Sequence, residues 1–574
     1  MRKRKAGASR NAMPTSLPPE EIAGRAVPDP RIRQYLVPTR VVWTSGAGVE
    51  NPECLLRAKV GQITLSDEVL CTLRNDGETP GVLLDFGQEL QGGVQISISS
   101  CGENNRAQLR VRFGESVSEA MSEVGGQQNA TNDHAVRDQI ISVVGLGSHE
   151  IGNSGFRFVR IDLIEPGNVT IKAVRAVFIY RDLEYKGSFR CNDARLNRIW
   201  QTGAYTIHLN MQDYVWDGIK RDRLVWIGDM HPEVMTIGAV FGKTDVVPAS
   251  LDLVRDITAL PEWMNGISAY SMWWVLIHHN WYLQHGDLAY LKQQKKYLKG
   301  LLGQLMGHIG PDNRETLGGM RFLDWPTYSN GAAVHAGLHG LLILTLQAGA
   351  ELCTALKDSK LQGKCEEAVA RLRKYIPEHD HNKQAAALMA LAGLGDAAAL
   401  NREVLAVDGA QRMSTFYGYY MLQARAKAGD YQGCLDCLRT YWGGMLDLGA
   451  TTFWEDFNLK WTANAGRIDE LVPEGKADIH GDFGDYCYKG FRHSLCHGWA
   501  SGPTAWLSEH VLGVKIVKAG CKVVRIEPHL GDLQWVEGTF PTPRGILKVR
   551  HEKQSDGSVK SEVEAPAGIK IAEH

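Results

Sequence analysis

Residues 187–200, GSFRCNDARLNRIW, are where the chain changes texture. Upstream, β-type runs bounded by Gly and Asn recur: GVLLDFGQELQGGVQISISS at 81–100, AQLRVRFGE at 107–115, FRFVRIDLIE at 156–165 and VTIKAVRAVFIY at 169–180. SEVGGQQNATNDHAV at 122–136 reads as a polar loop. With no long amphipathic helix in this region, a β-sandwich is the simplest reading. Inside the dividing stretch, Asn192 or Asp193 can cap a helix, and helical spacing runs from Ala194 to Met211. Amphipathic segments then recur as far as residue 512, among them SAYSMWWVLIHHNWYLQHG at 268–286, GLHGLLILTLQAGAELCTAL at 337–356 and FYGYYMLQARAKAG at 416–429. Roughly ten to twelve helices without a fixed repeat period favour a toroid of helical hairpins over a solenoid. β texture returns in GCKVVRIEP at 520–528, LQWVEGTF at 533–540 and GILKVRHEK at 545–553.

Bulk properties agree with a large globular protein. A chain of 574 residues exceeds one hydrophobic core. The net charge of -2 provides no field for nucleic acid or an acidic membrane. Fifteen Trp against fourteen Phe is a high proportion, and Trp offers a flat apolar face suited to sugar rings as well as to cores. Eleven cysteines without a framework fit a reducing compartment. Cys434 and Cys437 read as neighbours on one helix face rather than zinc ligands. The N-terminus is basic but lacks the apolar core of a signal peptide, so a cytoplasmic location is expected. No run reads as a membrane span.

The chemistry concentrates in YVWDGIKRDRLVWIGDMHPE at 214–233, which interleaves Asp217, Arg221, Asp222, Asp229 and Glu233 with Trp216 and Trp226. If 222–229 began a helix, Asp222 and Trp226 would share a face. Apolar neighbours argue against a freely solvated salt-bridge run. Glycoside hydrolysis needs a carboxylic acid to protonate the leaving oxygen and carboxylates to hold hydroxyls. LGATTFWEDFNLKW at 448–461 presents Trp454 beside Glu455 and Asp456, a position suited to a general base or to a helix N-terminus. Weaker signals are Asp324 and Trp325 in FLDWPTYSN, and His497 in SLCHGWASGP. His278 and His279 read as packing. Nucleotide, HExxH zinc and GxSxG serine-hydrolase motifs do not occur.

Taken in order, these motifs resemble glycoside hydrolase family 78, the α-L-rhamnosidases, over nearly the whole chain after the tail. LLDFGQELQGGVQI and GFRFVRID resemble that family's β-sandwich, and GSFRCNDARLNRIWQTG its passage into an (α/α)6 barrel. DGIKRDRLVWIGD matches the signature Asp-x-x-x-Arg-acid-Arg-x-x-Trp-x-Gly-Asp, GATTFWE the loop ending in the base, and SLCHGWASG the later His segment. IEPHLGDLQWVEGTFPTPRGILKV resembles the C-terminal β domain. The resemblance implies that Asp222 is the general acid and Glu455 the base of an inverting exo-enzyme. Asp217, Arg221, Trp226 and Asp229 would hold the sugar, with Asp324, Trp325 and His497 completing the pocket and no cofactor required.

Two departures stand out. The family's acid is normally Glu, whereas Asp222 is one methylene shorter, and displacement by about 1 Å can be costly in catalysis. Where relatives carry a Trp-Gly-Asp-Ala-like segment, this chain reads SAYSMWW, placing Tyr270 where the Trp would be. The expected organisation is a flexible tail over 1–34, a β-sandwich over 35–187, an (α/α)6 barrel over 188–512 and a small β-sandwich over 513–574. The partner is a carbohydrate, with no nucleic acid or membrane involved. Alternatives are an unsaturated uronyl hydrolase, a glycoside phosphorylase, or a sugar-binding homologue with an impaired site.

Overall fold

The computed structural model describes residues 24–65, 68–102 and 104–572. Most of the expected tail, 1–23, lies outside the described residues. The first strand nevertheless begins inside the tail's expected span. It is β1 (Arg31–Leu36), followed by β2 (Arg40–Thr44), β3 (Val49–Glu50), β4 (Cys71–Asn75), β5 (Gly81–Cys101), β6 (Arg106–Gly114), β7 (Asp138–Val144), β8 (Gly147–Leu163) and β9 (Gly167–Arg181). These pair in the order β3-β4-β9-β5-β8-β6-β7, with β1 on β9 and β2 on β5.

The long strand β5 links the sheet because it pairs with β2, β8 and β9. Fifteen of its 21 residues are buried, as expected of a strand covered on both faces over most of its length. Gly92 and Gly93 permit close backbone approach on both flanks. A Cβ on Gly92 would lie 1.9 Å from the Val177 carbonyl, and one on Gly93 would lie 2.1 Å from that of Ile151. The core of this sheet also takes in Leu209, Ile219 and Cys496 from later in the chain. Ile219 lies in the acidic run and Cys496 beside His497, so packing of the β region directly locates both segments.

The helical region starts at Ala194–Asn210, where Asp193 is the cap and accepts from the Arg195 and Leu196 amides. Asn192, the other candidate, instead accepts from the Gln534 and Trp535 amides. Helices Met230–Val240, Ser268–His285, Gly331–Ala355, Lys383–Ala392 and Gly418–Lys427 pack successively on one another. Gly331–Ala355 corrects the expectation that no segment could span a membrane: its 25 residues are long and apolar enough, but most of the helix is buried in the protein. Cys434 and Cys437 do share one helix, both buried.

A second correction concerns the dividing stretch itself. Ser188–Cys191 is a strand, β10, and it pairs antiparallel with Trp535–Thr542. It belongs to a four-stranded sheet completed by Gly545–Lys553 and Val559–Glu564. The backbone therefore joins the C-terminal sheet before entering the helices. Alternation in Gly545–Lys553, with Leu547, Val549 and His551 inward, fits a sheet covered on one face.

The β region and the site segments meet at a buried ion cluster. Lys220 Nζ lies 3.0 Å from Glu115 and 3.3 Å from Glu119, and donates to the Phe491 and His493 carbonyls at 2.8 and 2.6 Å. Glu115 also accepts from the Leu495 amide at 2.6 Å. Burial would lower the Lys220 pKa, but the two glutamates hold it above its ordinary value. Lys220→Met should leave these carboxylates uncompensated and cost about 3–5 kcal/mol. The expected readout is a clearly lower urea midpoint; an unchanged midpoint would show that the cluster does not stabilise the fold.

Candidate active site

The acidic run does not form the helix considered from its spacing; the helix starts only at Met230. Residues 217–224 instead close on themselves. Asp217 Oδ1 accepts from the Leu224 amide at 2.9 Å, and the Asp217 amide donates to the Leu224 carbonyl at 3.1 Å. Arg223 lies in the left-handed region, φ 60°, and is anchored by donating to the Asn153 and His134 carbonyls. Asp222 projects from this loop. Trp226 Nε1 still reaches it, donating to Oδ2 at 3.1 Å.

Glu455 arrives from a separate segment. Its amide donates to the Ser494 carbonyl at 3.0 Å and its Oε2 accepts from the Ser494 amide at 3.1 Å. Its own carbonyl accepts from Thr415 at 2.5 Å and from Trp499 Nε1 at 2.9 Å. The carboxylate is thus held at its backbone and at one oxygen.

Both groups line one cavity of about 220 Å³, together with Asp217, Arg221, Trp226, Asp229, Tyr270, Trp325 and His497. Two expected members are elsewhere. Trp454 is buried against Phe457 and His493 and does not line the cavity. Its neighbour Glu455 takes the cavity side, so Trp454 is a core residue. Asp324 accepts from Thr327 N, Gln384 and Ser414 at 3.0, 2.9 and 2.7 Å. It caps the turn Trp325–Thr327 and supports Trp325 from below rather than facing the main cavity.

A charged chain crosses the cavity floor. Tyr270 donates to Asp229 Oδ1 at 2.8 Å, and His497 Nε2 lies 3.3 Å from Asp229 Oδ2. His497 Nδ1 lies 3.7 Å from Glu455 Oε1. Burial would depress the His497 pKa, but Glu455, Asp229 and Asp217 hold it at about 9. Burial in turn pushes Asp217 well above the ordinary carboxylate range against the pull of His497, and raises Asp229. Glu233, fully buried with neither oxygen hydrogen-bonded, is raised well above its ordinary value by burial and by Asp229 and Asp217. Tyr270 needs Gly228 beneath it, since a Cβ there would lie 2.2 Å from the ring.

Several contributors were not apparent from sequence. Phe322, Met320 and Ile267 form an apolar wall with Trp325. Tyr488 accepts from Trp325 Nε1 at 2.6 Å and lies under the Arg221 guanidinium at 5.5 Å. His134, from the polar loop of the β region, lies 3.0 Å from Asp222 Oδ1 through Nδ1. Aromatic density in 483–491 and the adjacency of Phe322 to Asp324 were the available signals for the first two; nothing local marked His134. Glu115, Glu119 and His480 form a buried group of metal-ligand type, but the Lys220 ammonium occupies the position between the two carboxylates.

Residues 184–387 match the bacterial α-L-rhamnosidase six-hairpin glycosidase domain, and 513–572 the bacterial α-L-rhamnosidase C-terminal domain. An α-L-rhamnosidase of Formosa agariphila is 26% identical over 162 residues, covering 27% of this chain and 16% of that protein. A family 78 rhamnosidase structure from Bacillus sp. GL1 superposes with TM-score 0.72 at 22% identity, covering 91% of this chain and 55% of its own. That of Dictyoglomus thermophilum gives 0.71 at 16% identity, covering 94% and 58%. A Klebsiella oxytoca rhamnosidase with rhamnose bound gives 0.65 at 18% identity, covering 83% and 95%. The chain thus spans little more than half the length of the first two structures. Two segments of the chain thus match bacterial α-L-rhamnosidase domains, in the order the motifs predict, on a fold shared with family 78 rhamnosidase structures.

Proposed function

We propose that the protein is an exo-acting, inverting glycosidase that releases terminal α-L-rhamnose or a related deoxy sugar. In this reading the helical region is an (α/α)6 barrel between an N-terminal β-sandwich and a small C-terminal one. The observation that carries the reading is the convergence of Asp222 and Glu455 on one small cavity whose remaining lining divides into a polar floor and an apolar wall. Its volume of about 220 Å³ is below that of sites for drug-sized ligands and suits one sugar ring. Asp217, Asp229 and Arg221 supply partners for hydroxyls, while Phe322, Met320 and Trp325 suit the methyl group of a 6-deoxy sugar.

Asp222 gives its proton to the glycosidic oxygen as the bond to the anomeric carbon breaks, and the electron pair stays with that oxygen. Glu455 takes a proton from the water that attacks the opposite face. The aglycone leaves as an alcohol and the sugar as the inverted hemiacetal. Arg221 and the His497 imidazolium face Glu455, and His497 also links the base to the sugar-holding Asp229.

Glu455→Gln should lower rhamnose release from a nitrophenyl rhamnoside by at least about 100-fold while thermal unfolding is unchanged. Undiminished turnover would remove Glu455 from the mechanism. Proton NMR of early product should show the inverted anomer. Retention would refute single displacement, and dependence on inorganic phosphate would indicate a phosphorylase. His497 in the free protein is charged below about pH 9, so kcat/KM should fall as the pH rises through that value. His497→Gln should lack that limb, and an identical limb in the variant would assign it to another group.

A further inference from the structure

The β region contributes more than packing. Its 122–136 segment reads as a polar loop, but contacts within and beyond the β region hold it. Asn132 Oδ1 accepts from the Arg137 and Asp138 amides. The buried Arg137 side chain donates to the Glu119 and Ser122 carbonyls. Across the boundary with the helical region, Phe491 N donates to the Gln128 carbonyl, Asn129 to the Lys489 carbonyl, and Asp133 pairs with Arg492. Arg223, adjacent to Asp222, donates to the carbonyl of His134. His134 itself has φ 64°, a left-handed conformation that costs a non-glycine residue energy and persists where surroundings enforce it.

These contacts aim the imidazole at Asp222. Nδ1 lies 3.0 Å from Asp222 Oδ1, while Trp226 Nε1 donates to Oδ2 at 3.1 Å. On its other side, His134 Nε2 faces Arg492 at 3.4 Å and Asp133 at 3.6 Å. A guanidinium only donates, so Nε2 accepts from Arg492 and the proton of the neutral ring lies on Nδ1, the nitrogen in polar contact with Asp222. Each carboxyl oxygen of Asp222 therefore has its own nitrogen neighbour, Oδ2 accepting from Trp226 of the acidic run and Oδ1 in contact with His134 of the β region. Arg221 lies further off, 3.7 Å from Oδ1.

We propose that His134 is a positioning residue for the proton donor: by holding one oxygen of Asp222 it sets the place from which this short acid reaches the leaving group. The proposal rests on Asp222 being the general acid. A chain one methylene shorter than Glu has fewer torsions to adjust, so its delivery geometry depends on what grips the carboxyl. His134 does not itself line the cavity.

The test compares two rhamnosides that differ in their need for protonation. A dinitrophenyl leaving group departs with little assistance; a methyl or other alkyl leaving group requires it. His134→Ala should lower kcat on the alkyl rhamnoside by about 10- to 100-fold, with KM and turnover of the dinitrophenyl rhamnoside within about twofold. His134→Gln, which retains an N–H donor and covers the case of an unstable Ala variant, should recover part of the loss. Equal loss on both substrates, no loss, or no recovery with Gln would overturn the proposal. Asp222→Asn on the same pair separates the two levels of the argument. If it shows the leaving-group-selective loss and His134→Ala does not, only the role of His134 fails. If Asp222→Asn shows no selectivity, the acid assignment fails and His134 with it.

Discussion

The buried ammonium of Lys220 organises the active site from behind. It belongs to the same short run as Asp217 and Asp222, yet its partners are Glu115 and Glu119 of the β region and the carbonyls of Phe491 and His493. Glu115 carries the link onward by accepting from Leu495, next to the Ser494 that holds Glu455. One desolvated cation thus connects the segments bearing Asp222 and Glu455. Such a cluster is poor evidence for net stability, because removing charges from water costs about what pairing returns. Its value lies in geometry: a charge that has only one set of partners permits only one arrangement of the three segments.

The cavity shows the opposite balance. Asp217 and Asp229 line it and Glu233 lies buried close to both, with the His497 imidazole among them. Burial raises all three, and repulsion from neighbouring carboxylates adds to it. The acidity that stands out in the sequence is therefore held away from water, with the His497 imidazole raised to about 9 among these carboxyls.

Much of this was legible in the residues. Asp193 capped the helix that the dividing stretch foretold, and nine of the expected site residues line one cavity. The errors have physical causes. Trp454 and Glu455 are adjacent in sequence, yet Trp454 packs against Phe457 and His493 while Glu455 lines the cavity. Asp324 was read by its company, but its oxygens are taken up by a turn and two buried side chains. Ser188–Cys191 pairs with a strand far along the chain, which local pattern does not encode. His134 was hidden for the same reason: its meaning depends on a loop of one region meeting a loop of another. The apolar helix Gly331–Ala355 shows that hydrophobicity reports burial without naming the medium.

The pairing of Ser188–Cys191 with Trp535–Thr542 has a consequence for the helical region as a unit. The backbone enters that region from one strand and returns from it to the neighbouring strand, with Asn192 joining the Gln534 and Trp535 amides beside them. The two ends of several hundred residues are thereby clasped. Topologically the helices form a long insertion between adjacent strands of a small sheet. Closing so long a loop carries an entropic cost that grows only with the logarithm of its length, so a few strand hydrogen bonds suffice to tie the ends. Loosening at the start of the first helix and at the C-terminal sheet then becomes a single event, and the last strands act as the fastener of a structure that otherwise begins and ends far apart in sequence.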